Sequence, residues 1–179
     1  MTNAELLPRH VVELNEPAFV AAIPELAALL VDAVESGASV GFVLPFSLDA
    51  ASAWWRGLAP EVTAGHIVVL LLRVDGRALG TAQLRLASLP NARHRAEVAK
   101  VLVHRDARRR GIGRTLMATV EHTARRLGRD LLVLDTIAGS DAVRLYEGLG
   151  WTRAGEIPRY AAMPDGSLAP TVVFYKELR

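Results

Sequence analysis

Residues 98–128, VAKVLVHRDARRRGIGRTLMATVEHTARRLG, decide the fold. The stretch opens on a β-branched, apolar run (Val98, Val101, Leu102, Val103), crosses an arginine-rich turn and passes Gly111 and Gly113 into a helical pattern. A helix start leaves backbone N–H groups without partners, its dipole favours negative charge, and glycines there let an anion approach closely. Arg108, Arg109, Arg110 and Arg114 add forked donors suited to phosphate oxygens, so the turn reads as a cradle for a diphosphate.

Beyond the turn, Leu116, Val120, Ala124 and Leu127 recur at helical spacing, with Glu121 and Arg125 as an i,i+4 pair on the wet side and Gly128 as the stop. Residues 130–136 read as a strand that is apolar until Asp135. Strand, helix and strand of these lengths predict a right-handed crossover and hence a parallel pair. Ligands of such sheets bind beyond the carboxyl ends of the strands, which is where Asp135 and the arginine turn both fall.

Upstream, residues 66–74 and 78–87 flank Asp75-Gly76-Arg77, a hairpin signal. The first of these strands is apolar nearly throughout and should be buried on both faces; the second alternates Thr81, Gln83, Arg85 with Ala82, Leu84, Leu86. Glu97 stands just inside the next apolar strand. Buried, it would have a raised pKa and suit a general base; the other reading is an ion pair with Lys100, Arg93 or Arg95. Residues 10–14 read as a first strand. The helical pattern of residues 17–34 contains Pro24, which predicts a break there and a helix onward to about Ser36 with Leu26, Leu29, Leu30 and Val34 inward.

Gly37-Ala38-Ser39-Val40-Gly41 matches the G-x-S-x-G of a hydrolase nucleophile elbow, but here a helix precedes the serine where the elbow needs a strand. The better reading is a glycine-flanked loop over a pocket. Residues 47–58 form a helix capped by Ser47 or Asp49, with one of Trp54 and Trp55 in the core and the other at the rim. Residues 140–150 give a last helix, and strands starting at Trp151 and at Thr171 flank the turn Pro164-Asp165-Gly166. The expected architecture is a mixed α/β (α+β) domain spanning 1–179: six to seven strands, an antiparallel N-terminal part, a parallel pair at the cleft, and about four helices on both faces.

With 179 residues, 51% hydrophobic and 22% charged, the chain can bury a substantial core. Its net charge is only +2, so the arginine turn is a local anion site more readily than a nucleic-acid surface. Little aromatic residue is interleaved with the arginines, which argues against nucleic acid as a partner. There is no cysteine, which excludes disulfides and thiol catalysis. The five histidines are scattered without ligand spacing, so no metal is expected. The longest aliphatic run, residues 67–72, is too short for a membrane span, and no signal-like region opens the chain, so a cytoplasmic protein is expected.

A dinucleotide fingerprint would need a third glycine where Leu116 stands, and a P-loop would need Gly-Lys-Ser/Thr. What is present, Arg108-x-x-Gly111-x-Gly113 after a strand, resembles the acetyl-CoA motif of the GCN5-related N-acetyltransferase (GNAT) superfamily. Ala142-x-x-Leu145-Tyr146-x-x-x-Gly150-Trp151 is similar to that superfamily's second signature, and Gly139 departs from it where many members carry a cofactor-contacting asparagine. Residues 94–98, 134–136 and 160–171 look closest to the tabtoxin resistance acetyltransferases.

The resemblance implies an acetyl-CoA-dependent transfer to a primary amine of a small molecule, of amino-acid or antibiotic/toxin-like kind, by direct attack. It suggests Glu97 and Asp135 as bases, a backbone N–H around Val103 as oxyanion donor, and Tyr146 as the proton source for the departing sulfur; the plainer role of Tyr146 is amphipathic packing. For the cofactor it implies Val101, Leu102 and Val103 along the pantetheine arm, Arg109, Arg110, Gly111, Ile112, Gly113 and Arg114 at the pyrophosphate, Arg108 or a neighbour at the remaining phosphate, and Ser140 in place of the missing asparagine. Other readings are a non-catalytic acyl-CoA sensor, a transferase acting on a protein N-terminus or lysine, and a homodimeric assembly.

Overall fold

The structure is a computed structural model that describes residues 10–178. Residues 1–9, read above for a leader, lie outside them. Strands β1 (His10–Glu13), β2 (Ile67–Val74), β3 (Arg77–Leu86), β4 (Arg95–Val103), β5 (Leu131–Ile137), β6 (Thr152–Ala162) and β7 (Leu168–Glu177) form one sheet in the order β1-β2-β3-β4-β5-β7-β6. Every neighbouring pair is antiparallel except β4 and β5, which are parallel as the crossover required. Asp75 and Gly76, both at positive φ, make the two-residue turn of the β2–β3 hairpin.

The sheet is covered on both sides. Helices α1 (Glu16–Glu35), α2 (Leu48–Gly57) and the short α3 (Ala59–Thr63) pack on one face; α4 (Ile112–Arg126) and α5 (Asp141–Glu147) pack on the other. β2 shows why residues 67–72 are uniformly apolar: Val68, Leu70 and Leu72 join the α4-side core, while Ile67, Val69 and Leu71 join the α1-side core. The polar alternation of β3 does not mark a wet face. Thr81 and Gln83 are fully buried, and Thr81 Oγ1 donates to Leu70 O at 2.8 Å.

Helix α1 runs unbroken through Pro24, correcting the expected break. Pro24 and Val20 are both exposed, so the carbonyl that loses its partner faces water, while Phe19, Ile23, Leu26 and Leu30 anchor the helix on either side. The resulting 20-residue helix, with mean hydropathy 1.8, is long and apolar enough to cross a membrane by length and composition, although residues 67–72 alone are not. Here it is a core helix. Glu121 also departs from expectation: it pairs with Lys176 of β7 at 2.7 Å instead of with Arg125, because a half-buried ammonium lies across the helix–sheet contact.

Two irregularities shape the centre of the sheet. Thr81 pairs with Leu102 but Gln83 pairs with Ala99, so β4 carries one extra residue there, and Lys100 takes a positive φ of 49°. The bulge exchanges the faces of the strand. Before it Ala96 and Val98 point to the α4-side core; after it Leu102 belongs to the α1-side core, while Val101 and Val103 pack towards α4. The second irregularity is that β4 and β5 pair only through Arg95↔Leu131, Ala96↔Leu132 and Glu97↔Val133, after which they part.

The outer strand β6 is exposed from Thr152 through Tyr160, and its pairing with β7 shifts between Ile157 and Ala161, where Arg159 has a φ of 53°. Gly80 of β3 lets the start of α4 sit directly on the sheet. A Cβ there would stand 2.9 Å from Ile112 Cγ2, 3.0 Å from Leu102 O and 3.0 Å from Leu116 Cδ1. Gly80→Ala is therefore expected to cost about 1–3 kcal/mol by overpacking, read as a melting temperature lowered by several degrees in a thermal unfolding scan.

Candidate active site

Where β4 and β5 part, a cleft of about 420 Å³ opens. Its carboxylates follow from strand alternation: Leu132 and Leu134 of β5 point to the α4-side core, so Asp135 points to the opposite face, the one Glu97 also occupies. Both line the cleft. Glu97 is exposed and in no ion pair among the described residues, because its neighbours Ala96 and Val98 take the core side and the parting strands leave its own side open. Asp135 is also exposed, and Thr171 Oγ1, buried on β7, lies 3.1 Å from its Oδ2.

Tyr146 closes the cleft from α5. It is 5% exposed and packs against Trp151 and Phe174 at centroid distances of 5.9 Å each. Burial, and secondarily the charge of Asp135, push its pKa well above the ordinary phenol value, so the hydroxyl keeps its proton. Next to it Ser140, the residue before α5, carries a buried Oγ with no hydrogen-bond partner among the described residues.

The unpaired edge of β4 presents donors to the gap. His104 N–H is given to Leu79 O on β3 at 3.0 Å, so alternation turns the N–H groups of Val103 and Val101 the other way, towards β5. At the end of this edge lies the arginine turn. Gly111 at φ 81° and Arg109 at φ 61° shape it, and α4 starts with neither a side-chain cap nor an acid in its first turn. Arg109, Arg110 and Arg114 are exposed, and Ile112 is rooted in the core. Gly113 brings α4 close to α5; a Cβ would stand 3.1 Å from Leu145 Cδ2. Arg108 turns back: its Nε donates to Val103 O at 3.2 Å and its Nη2 to Ser36 Oγ.

The turn is latched to α1. Asp32, buried near the helix end, accepts from the Arg105 backbone N–H at 2.9 Å and from the Arg105 guanidinium. The loop after α1 roofs the cleft, as the glycine-flanked pattern suggested. Ser39 Oγ donates to Ala162 O of β6 at 3.2 Å, and Leu44 N–H to Pro164 O at 2.8 Å. Ser39 is thus a tether in a helix–loop–helix setting, without the strand an elbow requires.

The predicted residues therefore gather in two connected groups: Glu97, Asp135, Tyr146 and Ser140 around the cleft, and Val101 to Val103 leading to the turn 108–114. Two charged cleft residues were not singled out from sequence for themselves, Arg85 and Lys100. A lysine inside an apolar strand was the available signal, but its direction depends on the bulge.

The chain belongs to the acetyltransferase (GNAT) family, whose model matches residues 24–151. Among solved structures it is similar to an N-acetyltransferase from Staphylococcus aureus Mu50, with 18% identity, 96% of this chain and 99% of that one covered, and a TM-score of 0.78. A ribosomal-protein-alanine N-acetyltransferase from Brucella melitensis matches with 26% identity, coverage of 94% and 99%, and a TM-score of 0.76. So does yncA, a candidate acetyltransferase from Salmonella typhimurium solved with its cofactor acetyl-CoA, with 21% identity, coverage of 96% and 94%, and a TM-score of 0.76.

Removing the latch tests how the turn is held. Asp32→Ala leaves the Arg105 N–H without its acceptor and is expected to cost about 1–3 kcal/mol, measured by denaturant unfolding.

Proposed function

We propose that residues 1–179 act as one domain that transfers the acetyl group of acetyl-CoA to a primary amine of a small molecule by direct attack. One observation carries this reading: the parting of β4 and β5 puts two carboxylates and a protonated tyrosine around an unpaired strand edge that leads to an uncapped, arginine-flanked helix start. The acetyl-CoA in the Salmonella structure supports the choice of co-substrate.

The residues present fit that co-substrate. An extended amide chain can continue the sheet along the free edge of Val101–103, and the buried, partnerless Ser140 Oγ supplies a further hydrogen bond to it. The N–H groups at the start of α4, with Arg109, Arg110 and Arg114, take the pyrophosphate; Arg108, turned back onto Val103 O, keeps the turn in shape, which leaves the remaining phosphate to a neighbouring arginine. When bound, the group supplies an activated thioester carbonyl. An amine near the ordinary lysine value of about 10.4 must lose a proton before attack, and Glu97 or Asp135 accepts it, directly or through water. The Val103 N–H steadies the carbonyl oxygen, and Tyr146, which keeps its proton at neutral pH, gives it to the sulfur.

The roof over the cleft, tied to β6 and to the β6–β7 turn, favours a small acceptor over a folded polypeptide. Of the small acceptors, the likeness of residues 94–98, 134–136 and 160–171 to tabtoxin resistance enzymes favours an antibiotic- or toxin-like amine. The three polar side chains at the chemistry also set the protein apart from a sensor that binds and does not react.

Calorimetry should show saturable acetyl-CoA binding, and thiol release should follow on adding acceptor amines. Tyr146→Phe is expected to lower kcat by about 10²-fold or more while acetyl-CoA affinity stays close to that of the parent; unchanged turnover would remove Tyr146 from the mechanism.

A further inference from the structure

Four charged side chains line the cleft, Arg85, Lys100, Glu97 and Asp135, and among the described residues none forms an ion pair. This is unexpected for Arg85 and Glu97, which stand opposite each other in the β3–β4 register. Arg85 is held elsewhere: its Nε donates to Gln83 Oε1 at 3.2 Å, and Gln83 is fully buried.

Lys100 is held as well. The positive φ at the bulge frees it from the alternation of β4, and its Nζ lies 5.1 Å from the Trp54 ring centroid and 5.8 Å from that of Phe42. Phe42 is itself fixed, stacked on Phe46 at 4.4 Å and edge-on to Trp54 at 5.4 Å. Aromatic faces attract an ammonium without neutralising it. Burial and the neighbouring Arg85 both lower the Lys100 pKa, against the opposite pull of Glu97 and Asp135, so this charge is costly as it stands.

Asp135 stands apart from the cations: it is on β5, beyond the gap, whereas Arg85 is on β3 and the ammonium of Lys100 leans to the α2 side, with Glu97 on β4 between them. A ligand that carried only an amine would use the acids and leave two positioned cations without an anion. We infer that Lys100 and Arg85 form an anion subsite, so that the acceptor is an amine that also bears a carboxylate, its amine directed to Glu97 and Asp135. The inference rests on the acetyltransferase reading and adds the chemical class of its substrate. It also gives Gln83 a task, as the residue that positions Arg85, and gives Phe42 and Trp54 one, as the platform for Lys100.

The test uses the whole chain and matched acceptors: a set of amino acids, their carboxamides and their decarboxylated amines, each assayed by thiol release with acetyl-CoA. The carboxylate forms should be preferred by about tenfold or more in kcat/KM, chiefly through KM. Lys100→Met, which keeps length and apolar contact without the charge, should collapse that ratio towards one, and Lys100→Arg should restore most of it. Thermal melts of both variants show that they are folded. Equal use of carboxylate and decarboxylated acceptors by the parent, or an undiminished preference in Lys100→Met, overturns the subsite and leaves the acetyltransferase reading standing. Failure of the parent to bind acetyl-CoA in calorimetry overturns both.

Discussion

The early end of the β4–β5 pairing governs the rest of the structure. Below Glu97↔Val133 the two strands share a parallel ladder; above it β5 remains bound to β7 through Ile137, while β4 follows its bulge and stays with β3. The bulge carries β4 along with β3 while β5 keeps to β7, so the two strands diverge. The backbone of β4 is therefore left with donors facing a gap, and unpaired donors demand a partner. α4 begins where that edge ends, so its free N–H groups extend the same polar seam. A cleft for an extended amide chain with a charged end is the outcome of chain geometry, before any particular side chain is considered.

Much of this was readable beforehand, because it rests on local rules. The strand–turn–helix of residues 98–128 announced the parallel pair, Asp75-Gly76 announced the hairpin, and Asp135 fell at the strand end where the sheet opens. The misreadings all involve contacts between segments distant in sequence. Pro24 breaks a helix in isolation, but Phe19, Ile23, Leu26 and Leu30 buried on either side of it keep α1 continuous. For Glu97 the sequence left open a buried base or an ion pair, because which face of β4 meets solvent is set by where β5 departs. Lys100 was visible only as a partner for Glu97; its true direction follows from one extra residue in β4, which no periodicity reveals.

The polar groups that position the site are themselves buried. Asp32 holds Arg105, Gln83 holds Arg85, and Thr171 lies against both Asp135 and the Thr136 carbonyl, 2.9 Å away. Each is an expensive group to bury unless hydrogen-bonded, and each uses its bond to fix an element of the cleft. The surrounding apolar cores supply rigidity on both faces of the sheet, so the site is carried by strands and helix ends instead of by unsupported loops.

The outermost strand shows how one local distortion can serve two ends. β6 is a bare margin of 11 residues, the kind of border that invites a foreign chain to add itself. Pro158 has no donor to offer, Arg153, Glu156 and Arg159 put charge along the border, and the register shift beside Arg159 bends the strand so that Tyr160 reaches the cleft. The kink that completes the pocket wall thus spoils the border as a template, and protection from clumping comes with the architecture of the site.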